Sequence, residues 1–355
     1  MTEVTVQVII AARNEEDCIG RCLQSLAGQQ GIGFEIILVD DGSTDRTRAI
    51  AESVPGVRVI AGSEPHPGIS GKCNALVQAT QSVSAEWLLF TDADTWHYPG
   101  SLAAAVKEAE ERKVDMLSYS PEQEAESWYE RMLMPVVYAE LARSYPIEKV
   151  NDPADPTVAA NGQYILVRRE VYTHLGGHAV VADKLLEDAE LARIFKVTDH
   201  RIWFRFGVGR VRTRMYRSFT AMWEGWTKNL VILFRNPLRL ATLRFLEFLA
   251  ILALAVASLV FEARNMSLYA VNAMGLTLVW YLFFLIRVRR AHFPWPANLL
   301  AFCGLPLFSF LLVRSWLHSR VRGTVRWKGR IYSKSAAQPS VGSSTAQESK
   351  LQNRV

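Results

Sequence analysis

Short apolar runs alternate with amphipathic stretches through the first two hundred residues of the chain. The runs are rich in β-branched residues and end at polar turns, which is typical of buried strands. The stretches between them place apolar residues on one helical face, as Ile19, Cys22 and Leu26 do in segment 15–27. Strands that alternate with helices at this interval predict a mostly parallel α/β sheet. The predicted strands are 4–11, 35–39, 57–61 and 86–91, and the predicted helices are 15–27, 45–53 and 72–79.

A different pattern begins after residue 234. Three long apolar segments follow, and the second and third contain no charged residue. At 1.5 Å per residue, each is long enough to cross a hydrocarbon layer of about 30 Å. We interpret them as membrane segments, and the alternative is a buried helical bundle. The segments are 238–261, 266–286 and 293–313.

The distribution of charge supports a membrane interpretation. Residues 1–234 hold 24 basic and 32 acidic residues, whereas residues 235–355 hold 16 basic and 3 acidic residues. The basic residues flank the apolar segments instead of alternating with aromatic residues along a soluble face. This pattern indicates a protein attached to the lipid bilayer and argues against a nucleic-acid partner.

The chain therefore divides into three parts. We expect a catalytic domain at 1–234, an α-helical membrane region at 235–334, and a disordered tail at 335–355 that is rich in Ser, Gln and Ala. The four cysteines match no zinc spacing, and the first ten residues show no signal-peptide pattern. We expect a multi-pass protein of the inner cell membrane, with reduced thiols and a cytoplasmic catalytic domain.

The third apolar segment raises a question of topology. Seven basic residues lie in 314–334, which the positive-inside rule places in the cytoplasm. Gly304 and Pro306 interrupt the middle of the segment, as a re-entrant or broken helix would require. We therefore expect two full crossings and one re-entrant hairpin, with 326–332 on the cytoplasmic side near the active site. The alternative is three crossings with the tail outside.

Polar clusters follow three of the predicted strands. Arg13, Asn14 and Glu15 follow the first strand, Asp40 and Asp41 follow the second, and Asp92 and Asp94 follow the fourth. The carboxyl ends of parallel strands meet at one edge of a sheet, which is where open α/β sheets bind ligands. We expect the three clusters to line one crevice, although single acids at strand ends often cap helices.

The acid pair Asp92 and Asp94 indicates metal chemistry. Two carboxylates one residue apart can share a hard divalent cation such as Mg²⁺ or Mn²⁺, which also accepts phosphate oxygens as ligands. The sequence contains neither a GxxxxGK[ST] loop nor a GxGxxG turn. A metal–diphosphate site without a P-loop predicts a nucleotide-activated donor whose diphosphate is the leaving group.

The order of motifs resembles family 2 glycosyltransferases of the GT-A fold, from residue 4 to about residue 229. The motifs are VIIAARNEE (8–16), VDDGSTD (39–45), GKCNAL (71–76), TDAD (91–94) and LEDAELA (186–192). The resemblance implies a Rossmann-like, mostly parallel sheet and a nucleotide-sugar donor, which we expect to be a UDP-sugar. It also implies that the nucleotide sugar is bound by Ala12, Arg13, Asn14, Glu15, Asp40, Asp41, Lys72 and Asp92.

The resemblance assigns further roles near the predicted acid pair. Asp94 is the stronger metal-ligand candidate, since Asp92 can instead reach the ribose. An inverting transfer needs one base for the acceptor hydroxyl, and Asp188 at the start of a predicted helix suits that role. Glu187 is the alternative base, and Asp188 could instead be an acid that the helix dipole favours. The acceptor and membrane side is assigned to Asn161, Gly162, Gln163, Arg217, Trp223 and Trp226.

Other features narrow the acceptor. The chain lacks the Gln-x-x-Arg-Trp motif of processive synthases and reads RMYRS at 214–218, which favours a single transfer. The segments VNDP (150–153), MWEGWTKN (222–229) and RWKGRIY (326–332) resemble membrane-associated members linked to hopanoid, carotenoid or sphingolipid-type glycosylation. Trp223 and Trp226 also suit the headgroup layer.

These observations predict an inverting, metal-dependent transferase that moves one sugar onto a hydroxyl of a membrane lipid. Three alternatives stay open. A polyprenyl-phosphate acceptor is already anionic and needs no base. A membrane scaffold could retain the sugar-nucleotide fold without catalysis. A nucleotidyltransferase is disfavoured because the sequence lacks a Gly-rich loop near its start.

Overall fold

The computed structural model describes residues 4–321, 324–327 and 330–333. The predicted disordered tail at 335–355 lies outside these residues. The strands are β1 (Val6–Ala12), β2 (Phe34–Asp40), β3 (Val57–Ala61), β4 (Trp87–Asp92), β5 (Thr95–His97), β6 (Met116–Ser120), β7 (Glu122–Gln123), β8 (Tyr164–Arg168), β9 (Ile202–Phe206), β10 (Val211–Thr213), β11 (Thr324–Trp327) and β12 (Arg330–Ser333).

The helices surround these strands and then continue alone toward the end of the chain. They are α1 (Ile19–Ala27), α2 (Thr47–Glu52), α3 (Gly71–Thr80), α4 (Ser101–Arg112), α5 (Trp128–Ser144), α6 (Ile147–Val150), α7 (Arg169–His174), α8 (Glu187–Val197), α9 (Phe219–Leu233), α10 (Pro237–Ala263), α11 (Ser267–Arg289) and α12 (Trp295–Val321).

The central sheet has the strand order β3-β2-β1-β4-β8-β6-β9. β1 pairs in parallel with β2 and β4, and β8 alone runs antiparallel to both of its neighbours. The predicted α/β class with a mostly parallel sheet is therefore confirmed. A smaller sheet, ordered β5-β10-β7, places Thr213 opposite Thr95 and so brings segment 211–213 beside the end of β4.

Side chains that alternate along the central strands fill a separate core on each face of the sheet. Val8 and Ile10 of β1 pack with Leu23 of α1, and Ile9 packs on the opposite face with Phe195 of α8. Because apolar residues are buried on both faces, the sheet is enclosed by helices, and its polar strand ends are left as the place where ligands can reach it.

The first helix begins later than the periodicity predicts. α1 starts at Ile19 instead of residue 15, after a turn in which the Glu15 carbonyl accepts from the Cys18 and Ile19 N–H groups at 3.0 and 2.9 Å. Asn14 donates to Ser43 Oγ at 3.1 Å, Glu15 donates to Thr47 Oγ1 at 2.7 Å, and Asn14 adopts a φ of +54°. These bonds keep 13–16 as a loop at the sheet edge.

The three apolar segments form helices that are long and apolar enough to cross a membrane. α10 and α11 pack against each other as a hairpin whose side chains are mostly exposed. In α12, by contrast, half of the most apolar stretch is buried. The predicted break in the third segment is wrong, because α12 is one continuous helix that includes Pro306. Gly304 instead permits close packing: a Cβ there would collide with the carbonyl oxygen of Met132 in α5.

A buried group of charges joins the α10–α11 hairpin to α5. Glu140 is fully buried, and one of its oxygens lies 3.0 Å from Arg244 Nε and 3.4 Å from Arg287 Nε. Arg287 also contacts Glu247 at 2.8 Å. Removing one partner from such a group would leave an uncompensated buried charge, so these pairs fix the base of the hairpin against α5.

We expect Gly304→Ala to separate α5 from α12, because the new methyl group has no space at the helix contact. Overpacking of this kind lowers the free energy of unfolding by about 1–3 kcal/mol. The matched control is Gly275→Ala in α11, where no atom lies within 4 Å of the added Cβ. Thermal unfolding of the two purified variants measures the effect, and equal melting temperatures would show that the contact is not tight.

Candidate active site

The predicted polar clusters converge at one edge of the central sheet. In the parallel register Ala12 lies opposite Asp40, and Ala11 lies opposite Asp92. The loops that follow β1, β2 and β4 therefore leave the sheet side by side. This register agrees with the expectation that the three clusters line one crevice.

Hydrogen bonds join the loop after β1 to the loop after β2. Arg13 Nη1 donates to the backbone oxygen of Asp41 at 2.9 Å, and the Thr44 N–H donates to Asn14 Oδ1 at 2.8 Å. Asp40 and Asp41 are nearly buried. Gly62 packs closely against the backbone of Asp40, because a Cβ at position 62 would lie 2.9 Å from the Asp40 carbonyl oxygen. This surface offers carboxylate and backbone acceptors to the hydroxyl and N–H groups of a polar ligand.

Lys72 connects the acid pair to the start of α8. Its Nζ lies 2.8 Å from Asp92 Oδ1 and 3.0 Å from Glu187 Oε1. Burial by itself lowers the pKa of Lys72, but the charges of Asp92 and Glu187 raise that pKa well above its ordinary value. Lys72 therefore stays positively charged, and it lies between Asp92 of the predicted metal-binding pair and Glu187 of the predicted base region.

Asp188 lies beside this cation and is held by backbone donors. The N–H groups of Gly162 and Ala189 donate to its two oxygens at 2.9 and 2.8 Å. Burial, and then the neighbouring charge of Glu187, raise the pKa of Asp188 to about 6, against the opposing effect of Lys72. A carboxylate with this pKa can accept a proton near neutral pH.

Glu187 differs from Asp188 in its electrostatic environment. Burial favours its neutral form, but Lys72 outweighs burial and holds the pKa of Glu187 below its usual range. Gly162 makes this arrangement possible, because a Cβ at that position would lie 3.0 Å from Lys72 Nζ and 3.5 Å from Asp188 Oδ2. The contrast favours Asp188 over Glu187 as the proton acceptor.

Asp94 is positioned by two buried side chains. Gln163 Nε2 lies 3.3 and 3.4 Å from the two carboxylate oxygens of Asp94 and donates to Thr213 Oγ1 at 3.0 Å. Thr213 Oγ1 in turn donates to the backbone oxygen of Asp94 at 3.1 Å. Sequence reasoning missed Thr213, since only the pairing of β10 with β5 brings it here.

The acid pair fits a divalent cation in one particular way. Among the described residues, no three His, Cys, Asp or Glu side chains are placed to hold a metal ion together. Mg²⁺ in proteins is often held by one or two carboxylates, with substrate phosphates and water as its other ligands. Asp92 and Asp94 match that donor set, whereas a site built entirely from protein ligands is not supported in the described part of the chain.

The residues predicted for the acceptor side separate into different environments. Gly162 and Gln163 belong to the acidic site, and Asn161 shapes their turn by accepting from the Gln163 N–H at 3.0 Å. Arg217 is exposed and donates to the Asp17 backbone oxygen at 2.7 Å. Trp223 is half-buried on α9.

The prediction that Trp226 reaches the headgroup layer is wrong. Its indole is 2% exposed, and its ring centroid lies 6.3 Å from that of Tyr138 and 5.8 Å from that of Tyr216. Trp226 is three residues from Trp223, so the two side chains point only about 60° apart around α9, and that of Trp226 is the one that packs against Tyr138 of α5. It is therefore a core residue.

Comparisons with known proteins find a matching family and a similar relative. Residues 7–176 match the family described as Glycosyl transferase family 2. A 4,4'-diaponeurosporenoate glycosyltransferase of Staphylococcus aureus strain MRSA252 is 28% identical over 344 residues, which cover 93% of this chain and 89% of the relative.

Two solved structures are also similar. The mannosyltransferase PcManGT from Pyrobaculum calidifontis, in complex with GDP-Man and Mn²⁺, is 18% identical with a TM-score of 0.49 and covers 91% of each chain. S. aureus TarS 1-349, in complex with UDP-GlcNAc, is 15% identical with a TM-score of 0.44 and covers 92% of this chain and 96% of that chain.

We expect the carboxyl group of Asp188 to titrate at about pH 6. It should be mostly ionised at pH 7 and become protonated as the pH falls through 6. Lys72→Met should move the midpoint to higher pH, because the cation that favours the carboxylate is gone. Carboxyl ¹³C signals that disappear in Asp188→Asn identify the residue, and a midpoint near pH 4 in the wild-type protein would contradict the expectation.

Proposed function

We propose that the chain is a family 2 glycosyltransferase of the hexosyltransferase class, which transfers one sugar from a nucleotide sugar to a membrane lipid with inversion; the family match over 7–176 and the S. aureus relative support this. The observation that carries the proposal is the position of Asp188. Its carboxylate is held by the Gly162 N–H beside Lys72, which itself contacts Asp92. A proton acceptor thus lies next to the acids expected to face the donor.

In the proposed reaction, the acceptor hydroxyl attacks the anomeric carbon from the side opposite the nucleotide. Asp188 accepts the hydroxyl proton during the attack, the bond between sugar and diphosphate breaks, and the configuration at that carbon inverts. Lys72 keeps Asp92 and Glu187 ion-paired, so that their charges are compensated in the half-buried site. Asp92 and Asp94 would hold Mg²⁺ or Mn²⁺, which stabilises the charge of the departing diphosphate when bound.

We propose a UDP-sugar as the donor. Asp40 and Asp41 lie at the end of β2 with little exposure, where they can accept hydrogen bonds from the base and from the ribose hydroxyls. Arg13 and Asn14 stiffen this surface through the contacts described above. Glu15 completes the loop, and its backbone N–H is held by Thr47.

We propose an apolar lipid of the carotenoid, hopanoid or sphingolipid kind as the acceptor. The S. aureus relative is named for diaponeurosporenoate, and its similarity extends over 93% of this chain and so includes the apolar helices. The ending of that name denotes a carboxylate, which is already anionic, as a polyprenyl phosphate is. The need for a base therefore separates a hydroxyl acceptor from an anionic one.

We propose that residues 1–234 form a cytoplasmic catalytic domain and that 235–334 hold it at the inner membrane. Three helices of sufficient length and apolarity support this location. Cys18, Cys22 and Cys73 are free and buried, which suits a reducing compartment. The site of a nucleotide-sugar enzyme would then face the cytoplasm.

We expect Asp188→Asn to lower the turnover of a hydroxyl acceptor by about 10²–10⁴-fold, since the amide cannot take the proton. Donor binding should persist. Glu187→Gln tests the alternative base, and Asp115→Asn is the control because Asp115 pairs with His200 just before β6 begins. Transfer of label from a nucleotide sugar into extracted lipid measures turnover.

The outcomes separate the candidate functions. Undiminished turnover in Asp188→Asn would refute the base and favour an anionic acceptor, either a carboxylate or a phosphate. Donor binding without any turnover in the wild-type protein would favour a scaffold that retains the fold without catalysis.

A further inference from the structure

α12 contacts α5 and α9 along most of its length. Phe293, just before the helix, packs on Tyr138 with ring centroids 5.9 Å apart. Near the other end, Ser315 Oγ accepts from the backbone N–H of Val231 at 2.9 Å. The helical part between them runs from Trp295 to Ser315, which corresponds to about 30 Å of helix. One side of α12 is therefore covered by α5 and α9 over a distance comparable to the thickness of a bilayer core.

This covering is difficult to reconcile with a helix that crosses the membrane. If α12 crossed, α5 and α9 would lie beside it within the hydrocarbon. Arg131 of α5 and Glu224 of α9 are exposed, and placing such charges in hydrocarbon is costly. α10 packs against α12, with the rings of Phe248 and Phe302 5.0 Å apart, but most of the remaining surface of the α10–α11 hairpin is exposed. α12 thus differs from the other two apolar helices in what surrounds it.

The uncovered side of α12 is a continuous apolar stripe. Its members recur at helical spacing and are all exposed, whereas Leu305, Phe308 and Leu312 on the opposite side are fully buried. We call this set the α12 stripe: Trp295, Leu299, Cys303, Phe310, Val313 and Leu317.

Aromatic rings extend the α12 stripe toward the candidate active site. Phe310 lies 5.6 Å from Trp223, Trp223 lies 5.6 Å from Phe219, and Phe219 stacks on Trp128 at 6.4 Å between ring centroids. Trp128 is 63% exposed on a part of the chain that carries no other membrane signal. Phe219 follows Arg217 by two residues, so the aromatic rings begin beside the segment that contacts Asp17 at the site edge.

Basic side chains lie along these rings. The guanidinium of Arg314 is 5.2 Å from the ring centroid of Trp223, and Arg131 is exposed one helical turn from Trp128. Exposed aromatic rings beside arginines match the headgroup layer of a membrane with anionic lipids, where amphipathic rings and cations are both favourable.

We propose that α12 lies in the plane of the membrane and that the α12 stripe, together with Trp128 and Phe219, docks on the headgroup–acyl boundary of the cytoplasmic leaflet. The proposal rests on the membrane location proposed above, but it is independent of sugar transfer. It leaves two full crossings, by α10 and α11, and it places the mouth of the site at the lipid surface.

Spin labels on single cysteines test this arrangement. The native Cys303 is exposed on the stripe and the other three cysteines are buried, so Cys303→Ser gives a background for labels at other positions. The positions are Leu299, Phe310, Leu317 and Trp128, each replaced by Cys in the full chain. Collision with oxygen and with a nickel chelate gives the depth of each label in nanodiscs of phosphatidylcholine and phosphatidylglycerol.

The in-plane arrangement predicts one common depth, about 5–10 Å below the headgroups, for all four labels. A crossing helix would separate Leu299 from Leu317 by about 27 Å along the helix axis, and that result would overturn the proposal. Labels at Phe283 in α11 and at the exposed Val197 in α8 provide the lipid and water references.

The references also separate the two proposals. Labels on the α12 stripe that are as accessible to the nickel chelate as Val197, while Phe283 is deep, would overturn the docking surface alone. If the label at Phe283 also behaved like that at Val197, the membrane location would fail and the docking surface with it.

Discussion

The packing of α12 between α5 and α9 is the constraint on which the rest of the structure depends. Gly304 allows α12 to approach the backbone of α5, and the ion pairs of Glu140 with Arg244 and Arg287 fix the α10–α11 hairpin to the same helix. The apolar helices are thus packed directly on the α/β part of the chain instead of being a tether. With these helices at the membrane, as proposed, packed side chains set the distance between the lipid surface and the acidic site.

Within the site, one cation lies among the acids and pairs with two of them. Lys72 contacts Asp92 at the end of β4 and Glu187 at the start of α8, so two regions that are distant in sequence share one counterion. Asp188 is left without a direct ion pair in the salt bridges described and with a pKa raised by burial and by Glu187. Lys72 therefore pairs with two of the three acids and holds the pKa of Glu187 below its usual range, whereas burial raises the pKa of Asp92 and that of Asp188. This division of roles is how neighbouring acids perform different tasks.

The sequence was most informative where function and local structure coincide. The strand-end motifs brought Asp40 and Asp92 to one edge of the sheet because parallel strands end there together, whereas Lys72 came from the resemblance to family 2 glycosyltransferases. It was least informative where long-range packing decides. Gly304 and Pro306 suggest a broken helix in isolation, but the glycine serves the contact with α5. Trp226 resembles an interfacial tryptophan in the sequence but is buried in the structure. Thr213 reaches Asp94 only through strand pairing.

The central claim is that a site fixed at the lipid surface transfers sugar to a lipid. The most direct measurement incubates membranes that contain the full chain with a panel of labelled nucleotide sugars, extracts the lipids and identifies the labelled species by mass. The account predicts that one donor delivers a single sugar to an apolar lipid, and that membranes carrying Asp188→Asn do not show the product if the acceptor is a hydroxyl. Label recovered only in water-soluble products or in long polysaccharide chains would contradict it.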